Sequence, residues 1–225
     1  MKETVLVVVA HSDDESISMA GTIRKHANKG DKVYVISMTN GVGSRKDVDE
    51  DKITERKNAS NTASKVLGFE WGNCYEFNDN AIDSYPLLEV VKSIEEAKIK
   101  YKPTLVYTHS GADLNVDHRV VANAVLTAFR PQPNEICKEL RLFEVASATD
   151  YGNSAITGSF CPNLFIDISG EWPDKSESLK AYSKEMREYP HSRSIEAIKN
   201  LSRLRGNQVG FKMAEAFEVI RKLEK

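Results

Sequence analysis

Residues 4–10 read Thr-Val-Leu-Val-Val-Val-Ala, an unbroken, largely β-branched run with no alternating polar face. Such a run suits a strand covered on both sides, the setting of a parallel sheet sandwiched between helices. The rest of the chain supplies the matching parts. Helical patterning over 16–29 stops at Gly30, and 32–39 reads as a second strand. A charged, glycine-containing loop is expected over 40–50, a helix over 51–67 ending at Gly68, and a short strand near 74–77. Leu87, Val90, Val91 and Ile94 recur at helical spacing within 85–100, and Pro103 introduces a buried strand at 104–108. A helix over 117–129 is closed by Pro131 and Pro133, with further strands at 140–146 and 164–168. From Lys175 onward the pattern is charged and mostly helical. Strands alternating with helices of crossover length predict a three-layer α/β/α domain with a mostly parallel sheet, spanning 1–225.

Composition narrows the function classes. The net charge of −2 over 225 residues gives no basis for a nucleic-acid or anionic-membrane partner. The longest apolar run, 5–10, is far too short to span a membrane, and the N-terminus enters that strand with no room for a signal peptide. Cys74, Cys137 and Cys161 form no CxxC pair; a sparse, odd set fits a reducing cytoplasm, each read as a small buried apolar residue.

In parallel α/β sheets ligands collect at the carboxyl ends of the strands. The first strand ends in His11-Ser12-Asp13-Asp14-Glu15. A phosphate-binding turn would carry glycines there, so that backbone N–H groups can approach the ligand. Three carboxylates and an imidazole instead call for a compensating cation, or else form a solvated acidic first turn of the next helix. The strand at 104–108 is followed by His109-Ser-Gly-Ala-Asp113-Leu-Asn115-Val-Asp117-His118-Arg119. Alone, that stretch also reads as a polar loop with Asp117 capping a helix. Two such clusters at equivalent strand ends point to one shared metal.

A His-Asp-His set drawn from the two clusters is a nitrogen and oxygen shell of the kind zinc takes, whereas magnesium and calcium favour oxygen. Zinc acidifies bound water to a pKa of about 7 and polarises a carbonyl, and a nearby carboxylate can take the proton. That chemistry is amide or ester hydrolysis.

Val-Leu-Val-Val-Val-Ala-His-Ser-Asp-Asp-Glu resembles the signature of the PIG-L/LmbE family of N-acetylglucosaminyl deacetylases, usually (A/S)HPDDE after the first strand. Gly21-Thr22 opening the first helix, Glu55-Arg56 with Ala59, Ala63 and Val66-Leu67-Gly68, and 103–119 follow in the family's order. Ser192-Arg193-Ser194, Arg205-Gly206 and Ala214-Glu215-Ala216-Phe217 resemble the C-terminal helices of one bacterial branch. The resemblance implies a Rossmann-like, LmbE-like fold and zinc bound by His11, Asp14 and His118. It implies Asp13 as general base, Asp117 as a carboxylate orienting its neighbours, and Arg56 and Asp79 as substrate-binding groups. The implied substrate is an N-acyl amino sugar, free or linked to a nucleotide or lipid, and the implied assembly a trimer or hexamer. Glu15 is expected to cap the helix.

Two positions depart from the pattern. Ser12 replaces the usual proline. Asn115 stands where many members have a histidine that serves as general acid; an asparagine can donate a hydrogen bond to an oxyanion but no proton to the leaving amine. His191, His109 or Asp13 must then supply the proton, with His191 preferred over its alternative reading as a surface or capping histidine. His26 reads as a packed or exposed helix residue. Competing readings are a magnesium-dependent phosphohydrolase or phosphoryl-transfer protein, a receiver-type domain, and an inert sugar-binding member of the same fold. The loops at 40–50, 72–84 and 131–159 are expected to shape the pocket.

Overall fold

The computed structural model describes residues 2–39, 41 and 50–224. The loop expected at 40–50 therefore falls largely outside the described residues. The described residues form seven strands: β1 (Thr4–Val9), β2 (Lys32–Thr39), β3 (Glu70–Phe77), β4 (Leu105–His109), β5 (Glu139–Phe143), β6 (Leu164–Asp167) and β7 (Ala214–Lys222). They form one sheet in the order β3-β2-β1-β4-β5-β7-β6. The first five strands run parallel, with β1 between β2 and β4, while β7 runs antiparallel between β5 and β6.

Alternate β1 side chains serve opposite faces, as period-two geometry requires. Val5, Val7 and Val9 pack with Ile17, Met19 and Ile23 of α1 (Asp14–Lys29). The same layer holds Leu67 of α2 (Glu50–Leu67). Leu6, Val8 and Ala10 pack against the other layer, α3 (Leu87–Tyr101) and α4 (Val116–Ala128), through Val90, Ile94, Val121 and Val125. The short α5 (Ser154–Thr157) follows β5. After β6 come α6 (Trp172–Ala181) and α7 (Ile195–Asn207), whose Leu179 and Ile198 join the first layer. The three-layer α/β/α, mostly parallel, Rossmann-like architecture expected from the strand pattern is the one observed. No helix among the described residues is long and apolar enough to cross a membrane.

Three expectations are corrected. The chain end is a strand: Ala214, Ala216 and Phe217 are buried between β5 and β6, where sheet pairing overrides the helix-like charge pattern. β3 begins at Glu70, four residues before the predicted short strand, and pairs with β2 across two register shifts. Of the cysteines only Cys137 is buried; Cys74 and Cys161 are exposed.

Gly21-Thr22 also lies in the middle of α1 rather than at its start. The helix is interrupted at Met19 (φ −136°, ψ 24°), which leaves the following amides without their helical carbonyls. Glu215 on β7 takes them up: Gly21 N–H and Thr22 N–H donate to its two carboxylate oxygens at 3.0 and 2.7 Å. Lys175 Nζ lies 2.6 Å from Glu215 and donates to the carbonyl of Ser18. Position 21 is glycine because a Cβ there would stand 2.7 Å from the Ile168 side chain. The kink is thus satisfied by an internal ion pair that caps both sides of the break.

Candidate metal centre

β1 and β4 lie side by side, so the turns that follow them emerge together at the carboxyl edge of the sheet. His11 follows β1, Asp14 begins α1, and His118 stands in the first turn of α4. His11 Nδ1 is 3.3 Å from Asp14 Oδ2 and 3.3 Å from His118 Nε2, and His118 Nε2 is 3.4 Å from Asp14 Oδ2. The three expected ligand atoms form a nearly equilateral triangle. Tetrahedral bonds of about 2.0–2.1 Å to nitrogen and oxygen place neighbouring ligand atoms about 3.3–3.4 Å apart, so the donors and their spacing fit a zinc ion with its fourth position left for water or substrate. All three residues are buried, at 9%, 1% and 1% exposure.

Each of these three side chains is held from behind. The His11 amide donates to Asp14 Oδ2 at 2.9 Å, fixing that carboxylate within its own turn. His11 Nε2 lies 3.1 Å from both Asp117 Oδ2 and Asp79 Oδ1. Asp117 also accepts the amides of Asn80 and Ile82, at 2.7 and 3.0 Å. Both Asp117 oxygens are thereby occupied, one of them shared between His11 and a backbone amide. His118 Nδ1 is 3.0 Å from Asp113 Oδ2, which also accepts from Thr149 Oγ1 at 2.9 Å. Asp113 is the carboxylate that sequence reasoning passed over, although it lies in the same cluster five residues before its histidine.

These carboxylates set the charge. Burial opposes protonation of His11, yet hydrogen bonds to Asp117, Asp14 and Asp79 hold its pKa well above the usual value. Burial likewise opposes a charge on His118, but Asp14 and Asp113 push it up to about 9. Burial would raise Asp14, and the His118 charge with hydrogen bonds from both histidines brings it well below the carboxylate range instead.

His109 is a different kind of histidine. Its Nε2 accepts from the amide of Ala10 at 2.9 Å, and its ring stacks on His118 with centroids 4.0 Å apart. Burial and the His118 charge keep it neutral. It is fully buried behind His118, and its Nε2 also lies 3.5 Å from Asp14 Oδ2.

Asp13 points into a second network. Its Oδ1 is 2.9 Å from Arg56 Nη2, and its Oδ2 is 3.8 Å from Arg193 Nη1. Arg56 is itself anchored by Glu185 at 2.7 Å, by Ser12 Oγ at 3.2 Å, and over the Tyr182 ring. Arg56, expected to grip substrate, is buried against Asp13. Glu15 is fully buried and accepts from Tyr182 OH and Ser16 Oγ, both at 2.9 Å. Burial and the Asp13 charge push Glu15 up to about 8, so it is an internal group rather than the simple acidic cap expected. Glu185, Arg193 and Tyr182 carried no sequence signal of a site role beyond the Ser-Arg-Ser resemblance.

Asn115 is the N-cap of α4: its Oδ1 accepts from the amides of Asp117 and His118 at 2.8 and 3.4 Å, and its Nδ2 donates to Asn80 at 3.4 Å. That use of the side chain accounts for an asparagine here without an oxyanion role. Asp79, expected at the substrate, lies against His11. His191 is exposed; its Nδ1 accepts from the amide of Arg193 at 3.0 Å and its ring faces Tyr151. Among the described residues it makes no contact with the ligand triangle.

A protein-family profile described as PIG-L, GlcNAc-PI de-N-acetylase, matches residues 6–129, which hold the entire triangle. Among solved structures, the chain is similar to the N,N'-diacetylchitobiose deacetylase of Pyrococcus horikoshii at 19% identity and a TM-score of 0.76, covering 97% of this chain and 84% of that one. It is similar to a conserved protein of Thermus thermophilus at 21% identity and 0.77, over 99% and 97%. It is also similar to GalB, the 4-carboxy-2-hydroxymuconate hydratase of Pseudomonas putida, at 19% and 0.75, over 100% and 98%. A fold that carries both a deacetylase and a hydratase does not itself name a reaction.

Proposed function

This chain belongs to the PIG-L family of de-N-acetylases, and from that premise we propose that it is a zinc-dependent hydrolase removing an N-acyl group from an amino sugar or its nucleotide- or lipid-linked conjugate. The observation that carries the reading is the triangle of His11 Nδ1, Asp14 Oδ2 and His118 Nε2, with edges of 3.3–3.4 Å. A zinc ion held there supplies Lewis acidity, acidifying water and polarising the amide carbonyl.

The chain's own groups do the rest. Asp13, next in sequence to a ligand, takes the proton of the attacking water through the oxygen not held by Arg56. As the carbon–nitrogen bond breaks, the same carboxyl returns that proton to the departing nitrogen; the products are the amine and the carboxylic acid, which then ionises to release a proton. Arg56, braced by Glu185, aims Asp13. His191, the donor preferred on sequence grounds, is exposed and contacts Arg193 and Tyr151, and it is given no part in the proton transfer.

Two imidazoles among three ligands disfavour the magnesium-dependent phosphoryl-transfer alternative. Three unpaired cysteines fit a cytoplasmic setting. Metal analysis of the purified chain, combined with acetate release from N-acetylglucosamine and its nucleotide and lipid conjugates, tests the reading. Bound zinc near one per chain with acetate release supports it. Bound zinc with no release from any N-acyl amino sugar points to an inert module or a hydratase-type reaction.

A further inference from the structure

A cavity of about 580 Å³ lies at the opposite pole of the sheet, around the amino ends of β1, β4 and β5. Its size is that of a small-molecule site. Six cations line it: Lys2, Lys25, Lys29, Lys138, Arg141 and Lys222. Three carboxylates face them, in a chain whose net charge is −2. Those carboxylates are already engaged: Asp31 with His26 at 2.7 Å, Glu139 with Arg141 Nε at 2.7 Å, and Glu3 with the Thr104 hydroxyl. Lys2, Lys29 and Lys138 have no carboxylate partner among the described residues, and Lys25 spends its hydrogen bond on the neutral carbonyl of Asp167.

Arg141 is fixed by Glu139 through Nε and by the Tyr107 hydroxyl through Nη1, and its Nη2 makes no hydrogen bond among the described residues. Thr22, on the α1 face that lines the cavity, is 1% exposed, and its Oγ1 has no hydrogen-bond partner. A buried hydroxyl left unpaired is costly, and a ligand oxygen would relieve that cost. Leu105, Leu164 and Ile166 add an apolar wall.

We infer that this cavity is a second ligand site, separate from the metal centre, for a small phosphorylated molecule whose dianion meets Arg141, Thr22 and the lysine ring while its organic part rests on the leucine–isoleucine wall. A pre-oriented guanidinium suits phosphate, and the surrounding lysines draw the charge in.

Isothermal titration of the zinc-loaded full chain with phenyl phosphate, with phenol as the uncharged control, tests this without reference to activity. Saturable one-site binding of phenyl phosphate and none of phenol is expected. Lys29→Glu/Lys138→Glu, both exposed positions, should weaken it about tenfold, and the near-isosteric Thr22→Val by about fivefold. Asp14→Ala, which removes a metal ligand at the other pole, should leave it unchanged. Absence of saturable binding, equal binding of phenol, or binding lost in Asp14→Ala but kept in the charge-reversed variant would each overturn the inference.

Discussion

Lys175 Nζ and Glu215 Oε1 meet 2.6 Å apart in the interior, and the same carboxylate caps the amides released by the break in α1 at Met19. A buried pair of this kind is far more costly to break than to have omitted. Glu215→Ala strands an ammonium among buried atoms and frees two amides, so a loss of roughly 3–5 kcal/mol in unfolding free energy is expected. Glu215→Gln, which keeps an acceptor, should cost less. Urea denaturation of the three proteins checks the order, and equal stability of the alanine variant and the parent would show the pair to be idle.

The proposed division of labour around Asp13 separates cleanly by mutation. Asp13→Asn should keep zinc and lose about 100- to 10,000-fold in kcat. Arg56→Ala should also lower kcat, while His191→Gln should change it by less than about threefold, since an exposed rim histidine gives up little when its proton is not used. Acetate-release kinetics on zinc-loaded proteins decide. A His191→Gln enzyme as impaired as Asp13→Asn would move the leaving-group proton back to the histidine.

Asp113 and Asp117 stand behind different imidazoles and should act through the metal rather than on substrate. Replacement of either by alanine is expected to weaken zinc binding about 10- to 100-fold. His118→Ala, which leaves two ligands, should fail to hold zinc at stoichiometry. Chelator competition measures all three, and an Asp113→Ala protein with unchanged affinity would mean that Thr149 or packing alone aligns His118.

Protons and zinc compete for His118 Nε2. In the metal-free protein this histidine titrates at about 9, raised from its ordinary 6.5, so its charge stabilises the metal-free fold fully below pH 6.5 and that contribution fades as pH rises through about 9. Zinc binding needs the neutral ring, so affinity should climb with pH over the same interval. The gap in Tm between zinc-loaded and chelator-treated protein is therefore expected to widen from pH 6.5 to 8.5. A constant gap would show that His118 is neutral without metal.

Much of this was legible in the residues. The β-branched run of β1 and the strand–helix alternation specify a parallel sheet, because such runs bury only when both faces are covered. Once two strands of that sheet are neighbours, the polar turns after them share one edge, and His11, Asp14 and His118 meet there. What resisted reading depends on contacts distant in sequence. β7 looks helical until Glu215 is seen to serve α1 and Phe217 to fill the core. The ion pair of Arg56 with Glu185, far along the chain, could not be read from either neighbourhood alone. Asn115 invited a chemical role that helix capping explains more simply.

The adjacency of β1 and β4 also bears on how the molecule is made. Its ligands are drawn from the first fifteen residues and from a turn some hundred residues later, brought into register only when those two strands pair. A chain emerging from the ribosome holds half a binding site until the second half has been synthesised and docked. On the proposed ligand set, capture of the ion is then a late event that reports long-range assembly, and fragments ending before position 118 lack the third proposed ligand.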